Sequence, residues 1–126
     1  MDKKVINTDK APAAIGPYSQ AIEANGVVYI SGQIPINPQE GKIIEGGIKE
    51  QTHQVLKNIG AILEAAGCSY KNVVKSTCLL ANMDDFKDMN EVYAQYYSEN
   101  PPARAAYGVV KLPLDALIEI ETIAIK

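Results

Sequence analysis

The feature that most limits how this chain can fold is a change of apolar period. Ile48, Thr52, Val55, Ile59, Ile62 and Ala66 recur at spacings of three and four, with Leu56 and Leu63 widening the stripe. That spacing predicts an amphipathic helix with one face committed to a buried partner. Around it the chain is built differently: residues 27–33, 72–80 and 117–125 are rich in β-branched side chains or alternate with a period of two, as strands do. A helix of this kind between strands predicts a helical layer packed on a sheet.

Local signals place the other elements. Residues 4–7 predict a short edge strand, and Asn25-Gly26 joins the runs 18–24 and 27–33 in a tight reversal. Pro35, Pro38, Gly41, Gly46 and Gly47 punctuate a loop with an extended stretch at 42–44. Gly67 ends the first helix, where a residue without a β-carbon best tolerates a left-handed cap. Asn82, with Asp85 three positions on, supplies a cap for a second helix. That helix carries Phe86, Met89, Tyr93 and Tyr96 on one face with Val92 and Tyr97 beside it, and Glu99 to Pro102 stop it. Residues 103–111 read as extended and 113–115 as a turn. The order predicts an α+β fold in one domain, residues 1–126: two helices on one side of a mixed sheet of about six strands.

The last strand adds a constraint. Ile118 and Ile120 face one way, while Glu119 and Glu121 share the other face with Ile123 and Ile125. A face that ends in two isoleucines is not built for water, so the sheet is expected to cover it with other subunits.

Composition excludes several functions. The net charge is −3 and the lysines are scattered, which disfavours nucleic acid as a principal partner, because that affinity is mostly electrostatic. Cys68 and Cys78 are the only cysteines. No basic-then-apolar leader opens the sequence and no apolar run is long enough for a bilayer, so a reducing cytosol with two free, half-buried thiols is expected. One histidine, His53, and two cysteines at unhelpful spacing do not make a zinc site. The glycines match neither the dinucleotide fingerprint nor the phosphate loop, so no nucleotide cofactor is expected.

The candidate residues each admit two readings. Arg104 is the only arginine, and its fork of donors suits a carboxylate, but a surface or intersubunit salt bridge would use it equally well. Glu119 is either an acid/base with a pKa raised by burial or a solvated strand residue, and Glu121 is a decoy of the same type. Tyr18 either walls a pocket or packs; Ser31-Gly32 lets a ligand approach the backbone; Asn90 lies between apolar positions of the second helix. Cys78 reads as a small core hydrophobe and His53 as a helix residue without an obvious partner.

Four separated signatures carry a resemblance over essentially the whole chain. They are residues 13–20 (AAIGPYSQ), residues 31–35 (SGQIP), Pro102-Ala103-Arg104, and Leu112-Pro113 followed by Ile118-Glu119-Ile120-Glu121 and Ala124. In this the sequence resembles the RidA/YjgF family of reactive enamine/imine deaminases, formerly called L-PSP endoribonucleases or translation inhibitors. The resemblance implies a chorismate-mutase-like homotrimer with clefts between subunits, and cofactor-free hydrolysis of 2-aminoacrylate and 2-aminocrotonate, as their imines, to 2-oxo acids and ammonia. It links the protein to pyridoxal-phosphate-dependent dehydratases, which release those intermediates. By position, Arg104 matches the residue that holds the substrate carboxylate and Glu119 the one that handles the attacking water. Tyr18, Ser31, Gly32 and Asn90 match residues around the cleft. Ala106 stands where many of these deaminases have cysteine; a contribution through the backbone survives that change. A non-catalytic carboxylate-binding protein using the same clefts, and a ribonuclease, are the rival readings.

Overall fold

The computed structural model describes residues 2–126. In chain order the elements are β1 (Lys4–Ile6), β2 (Ala21–Ala24), β3 (Val27–Gln33), β4 (Ile36–Asn37), β5 (Lys42–Ile43), α1 (Ile48–Ala65), β6 (Val73–Leu80), α2 (Phe86–Tyr96), β7 (Ala103–Gly108) and β8 (Ile118–Ile125). Six strands form one sheet in the order β1-β2-β3-β8-β6-β7, and β4 pairs with β5 apart from it. Only β6 and β7 run parallel, so the sheet is mixed as expected.

Both helices cover one face. Val55, Leu56, Ile59, Ile62 and Leu63 of α1 and Met89 and Val92 of α2 are buried against Val28, Ile30, Cys78, Leu80, Ile118 and Ile120. Each such side chain contributes about 1.5–3 kcal/mol relative to exposure, which is what commits the helices to this side. In β8, Ile118, Ile120, Thr122 and Ala124 point under the helices, while Glu119, Glu121, Ile123 and Ile125 lie on the opposite, uncovered face. On that face cross-strand register aligns Val5, Ile22, Tyr29 and Ile123 in an apolar row across four strands. Val5 is 57% exposed and Tyr29 and Ile125 are each 49% exposed.

The turns follow from their residues. Asn25 (φ 52°) and Gly26 (φ 77°) both adopt left-handed dihedrals, the pair a two-residue reversal of this hand requires. Gly67 (φ 79°) closes α1: its N–H donates to Glu64 O and that of Cys68 to Leu63 O, satisfying two terminal carbonyls.

Several boundaries differ from the sequence expectation. β2 starts at Ala21 rather than at Tyr18, because Gln20 turns inward; its Oε1 accepts from Thr8 N–H and its Nε2 donates to the carbonyls of Thr8, Ala11 and Pro12. Asn72 belongs to a 3-10 turn, Tyr70–Asn72, before β6. Asn82 accepts from Asp84 N–H and so caps the 3-10 turn Met83–Asp85, which leads into α2 rather than being its first turn. β7 stops at Gly108, short of residue 111. Cys68 is partly exposed as expected, but Cys78 is fully buried; both are free thiols. His53 does have a partner: its Nδ1 lies 2.9 Å from the Tyr96 hydroxyl. No helix of the described residues is long and apolar enough to cross a membrane.

Candidate active site

The carboxylate half begins with a break in strand pairing. Ile30 pairs with Thr122 but Gln33 pairs with Ile120, so Ser31 and Gly32 together oppose one residue, Glu121. Such a bulge bends the strand and re-aims its side chains. Ser31 fixes it, its N–H donating to Gln20 O at 2.9 Å and its Oγ to Ser19 O at 2.6 Å. Gly32 is required for space: a β-carbon there would collide with Oε2 of Glu119 and sit 2.9 Å from its carboxyl carbon. Glu119 therefore lies flat against bare backbone. It is half-buried, and burial, with Glu121 as the smaller cause, raises its pKa above the usual carboxylate value. Tyr18, Ile34 and Pro113 complete a pocket around Ser31, Gly32, Glu119 and Glu121.

The arginine half is built on the edge strand. Arg104 Nη1 donates to Asn90 Oδ1 at 2.7 Å. Its guanidinium carbon lies 4.9 Å from the ring centre of Tyr93 and 5.4 Å from that of Phe86, both on α2. Among the described residues the ion pairs are Lys49–Glu91, Lys111–Asp115 and Lys126–Glu23, so none of their carboxylates neutralises Arg104. Two rings and one amide oxygen orient the cation and leave its remaining donors free for an anion. Ala106 lies two residues on, opposite Cys78 and packed against the core, whereas Tyr107 is exposed.

Register separates the two halves. Arg104 stands opposite Ser76, whose side chain is buried beneath α2; Glu119 stands opposite Leu79, on the uncovered face. They are two strands and three residue steps apart, roughly 14 Å between backbones, and they point to opposite sides of the sheet. The chain thus gathers Tyr18, Ser31, Gly32 and Glu119 in one place and Asn90 and Arg104 in another. A single small molecule cannot touch both sets on one copy.

Two residues of the arginine half, Phe86 and Tyr93, read from the sequence only as core stripe. Their signal is helical: with Asn90 they occupy i, i+4 and i+7, one face, opposite a strand that carries the lone arginine. Behind them the hydroxyls of Ser76, Tyr93, Tyr97 and Thr122 are buried; Ser76 faces both tyrosines without closing a good hydrogen bond. Cys78 is no nucleophile, since burial pushes its thiol up to about 11. His53 and Tyr96 lie outside both halves. Among the described residues no three His, Cys, Asp or Glu side chains gather to hold a metal.

The fold is that of a class of small α+β proteins with known relatives. The family model described as Endoribonuclease L-PSP matches residues 8–126. A 2-iminobutanoate/2-iminopropanoate deaminase of Mus musculus is 53% identical over 124 residues, covering 98% of this chain and 92% of that protein. A RutC family protein of Pyrococcus horikoshii is 59% identical over 124 residues, 98% of each. Among solved structures, E. coli TdcF with bound serine superposes with a TM-score of 0.93 at 40% identity, covering 98% of both chains. The chain belongs to the RidA/YjgF family.

Proposed function

We propose that this protein is a 2-iminobutanoate/2-iminopropanoate deaminase, hydrolysing reactive 2-imino acids, and the enamines that tautomerise to them, to 2-oxo acids and ammonia. Relatives more than 50% identical over nearly the whole chain bear that name. The observation that carries the reading is the pairing of an oriented arginine without an anion and a raised-pKa carboxylate laid on glycine. The two are brought together between copies: the chain acts as a single domain in a chorismate-mutase-like homotrimer, with Arg104 of one subunit closing over the Glu119 pocket of the next. The uncovered apolar row on the sheet and the opposed faces of the half-sites support that assembly.

Arg104 holds the substrate carboxylate, with Asn90 fixing the guanidinium, and this places the C=N carbon near Glu119. Acting on the protonated imine, Glu119 takes a proton from water as the water oxygen bonds to that carbon and the π electrons move to nitrogen, which gives the neutral carbinolamine. It returns the proton to the nitrogen of the carbinolamine. The C–N bond then breaks with its electron pair going to nitrogen, the hydroxyl proton passes by way of Glu119 to the released ammonia, and 2-oxo acid and ammonium result. Tyr18 and Ser31 line the cleft, and Ala106 contributes through its backbone. No cofactor enters this scheme. A small amino acid bound to a relative is consistent with a site for compact carboxylates. The reaction belongs in the cytosol, downstream of pyridoxal-phosphate-dependent dehydratases.

Purified protein added to a serine or threonine dehydratase should accelerate ammonia and 2-oxo acid release; unchanged release with excess protein sinks the proposal. Mixing tests the shared cleft. Arg104→Ala and Glu119→Ala proteins, each inactive, are unfolded and refolded together. Random trimers then regain about a quarter of wild-type activity, because one cleft in four receives both intact residues. No recovery would place both residues in one subunit's site.

A further inference from the structure

Past Gln33 and Ile120 the strands β3 and β8 no longer pair, and the chain divides into two arms. One arm leaves β3 through Ile34 and Ile36; the other runs from Pro113 through Leu117 into β8. The Glu119 pocket has Ile34 of the first arm and Pro113 of the second among its walls. Two amides of α1 reach these arms. Gln51 Oε1 accepts from Leu117 N–H at 2.8 Å, and Asn58 Nδ2 donates to Ile34 O at 3.3 Å and to Ile36 O at 3.0 Å. We propose that Gln51 and Asn58 are positioning residues for the carboxylate: from the helix side of the sheet they set the spread of the arms, and with it the seat of Glu119 on Gly32. The inference rests on the reading of Glu119 as the group that passes protons, and it names what holds that group in place.

Seven residues separate Gln51 from Asn58, which puts them on one face of α1, two turns and about 10 Å apart. That face is otherwise the apolar stripe, and both amides are buried in it, Gln51 5% and Asn58 1% exposed. A buried amide costs stability unless it is bonded, so an apolar side chain would serve packing better at either position. What the amides supply is the partner that the arms lost when the ladder between β3 and β8 ended. Leu117 O still accepts from Ala81 N–H at 3.0 Å, while the Leu117 N–H turns to Gln51. Asn58 is itself held, its Oδ1 accepting from Gln54 Nε2 at 2.9 Å, so its donors are aimed. Clearance makes the spread of the arms matter. Glu119 lies so close to Gly32 that a single β-carbon there would displace it, and Leu117 stands two residues before it on the same arm. Movement of that arm shifts the carboxylate relative to a substrate held by Arg104, and a misplacement of about 1 Å costs on the order of 10²-fold in rate. Thr52 is the contrast: equally buried on α1, it donates its Oγ1 proton to Ile48 O at 2.7 Å, so its hydroxyl is spent within the helix.

The test combines steady-state kinetics, on imine generated in situ by an amino-acid oxidase, with the titration of the Glu119 carboxyl followed by carbon NMR of glutamate-labelled protein. Gln51→Met keeps the length of the side chain and Asn58→Leu its shape, and neither supplies the amide. Each should lower kcat about 10-fold with KM within about twofold, because the carboxylate is displaced and the arginine grip is not. In both, the Glu119 pKa should fall back toward the ordinary carboxylate value, since a looser seat admits water. Thr52→Val, which also loses a buried hydrogen bond, should lower the thermal midpoint and leave kcat and the Glu119 titration as in the wild type. A wild-type kcat or an unmoved titration in Gln51→Met overturns the inference, and this variant decides alone if Asn58→Leu does not fold. An equal loss of kcat in Thr52→Val overturns it too, by making the effect one of general softening. If the wild type deaminates nothing, the deaminase reading falls and the titration still decides. A lowered Glu119 pKa in Gln51→Met then keeps the positioning role, and an unchanged one removes it.

Discussion

The guanidinium of Arg104 sits at the edge of the sheet, on the helix side, held by two aromatic rings and an amide and open to solvent. The carboxylate of Glu119 sits on a central strand, on the other side, half out of water against a residue without a side chain. The contrast separates two uses of charge. In the proposed reaction the group that grips needs orientation, and the group that passes protons needs its charged form made less comfortable. Aromatic stacking does the first and partial burial beside Glu121 does the second.

The contrast breaks most visibly if the grip is removed. Arg104→Ala is expected to lower kcat/KM by about 10³, with Arg104→Lys recovering little because it lacks the fork. The dehydratase-coupled assay reads both. Next comes the surface on which the carboxylate lies. Gly32→Ala should cost about 10²-fold in kcat by displacing Glu119, with the circular dichroism spectrum unchanged, since only the end of one side chain has to move. A Gly32→Ala protein with wild-type rates would show that the position of Glu119 does not matter.

Smaller effects sharpen the division. Tyr93→Leu removes one stacking ring, so KM should rise about 10-fold while kcat holds; an equal fall in kcat would make Tyr93 part of the chemistry. Glu119→Gln is expected to abolish turnover yet raise the thermal midpoint at pH 7 by about 2 °C, a modest gain because the group is half exposed. The sign follows from its raised pKa. The folded state holds the proton more tightly, so the stability this gives is full below the unfolded pKa and lost as pH rises through the folded one. Least of all, Glu121→Gln should mostly spare the rate. It removes a repulsion that raises the Glu119 pKa, so the acid limb of the pH–rate profile should move to lower pH.

Elements whose residues decide their own conformation were legible in advance. The α1 stripe, the Asn25-Gly26 reversal, the Gly67 cap and the two faces of β8 all depend on near neighbours. The strand order was not legible, because nothing local in residues 118–125 says that they insert between β3 and β6. Nor was the true start of β2, which depends on Gln20 reaching backbone carbonyls eight to twelve residues away. In the site, Arg104 and Glu119 stood out by rarity and by apolar flanks, and the family signatures distinguished Glu119 from Glu121. That they face opposite sides of the sheet required the register of β6 with both its neighbours.

That strand order also sets a timetable. β8, the last strand to leave a ribosome, lies in the middle of the sheet, and Lys126 N–H closes onto Gly26 O. Until it emerges, β3 and β6 have no common neighbour and the nascent chain exposes two unpaired strand edges. The sheet therefore closes only once β8 has been made, and until then those edges are open to pairing with other strands.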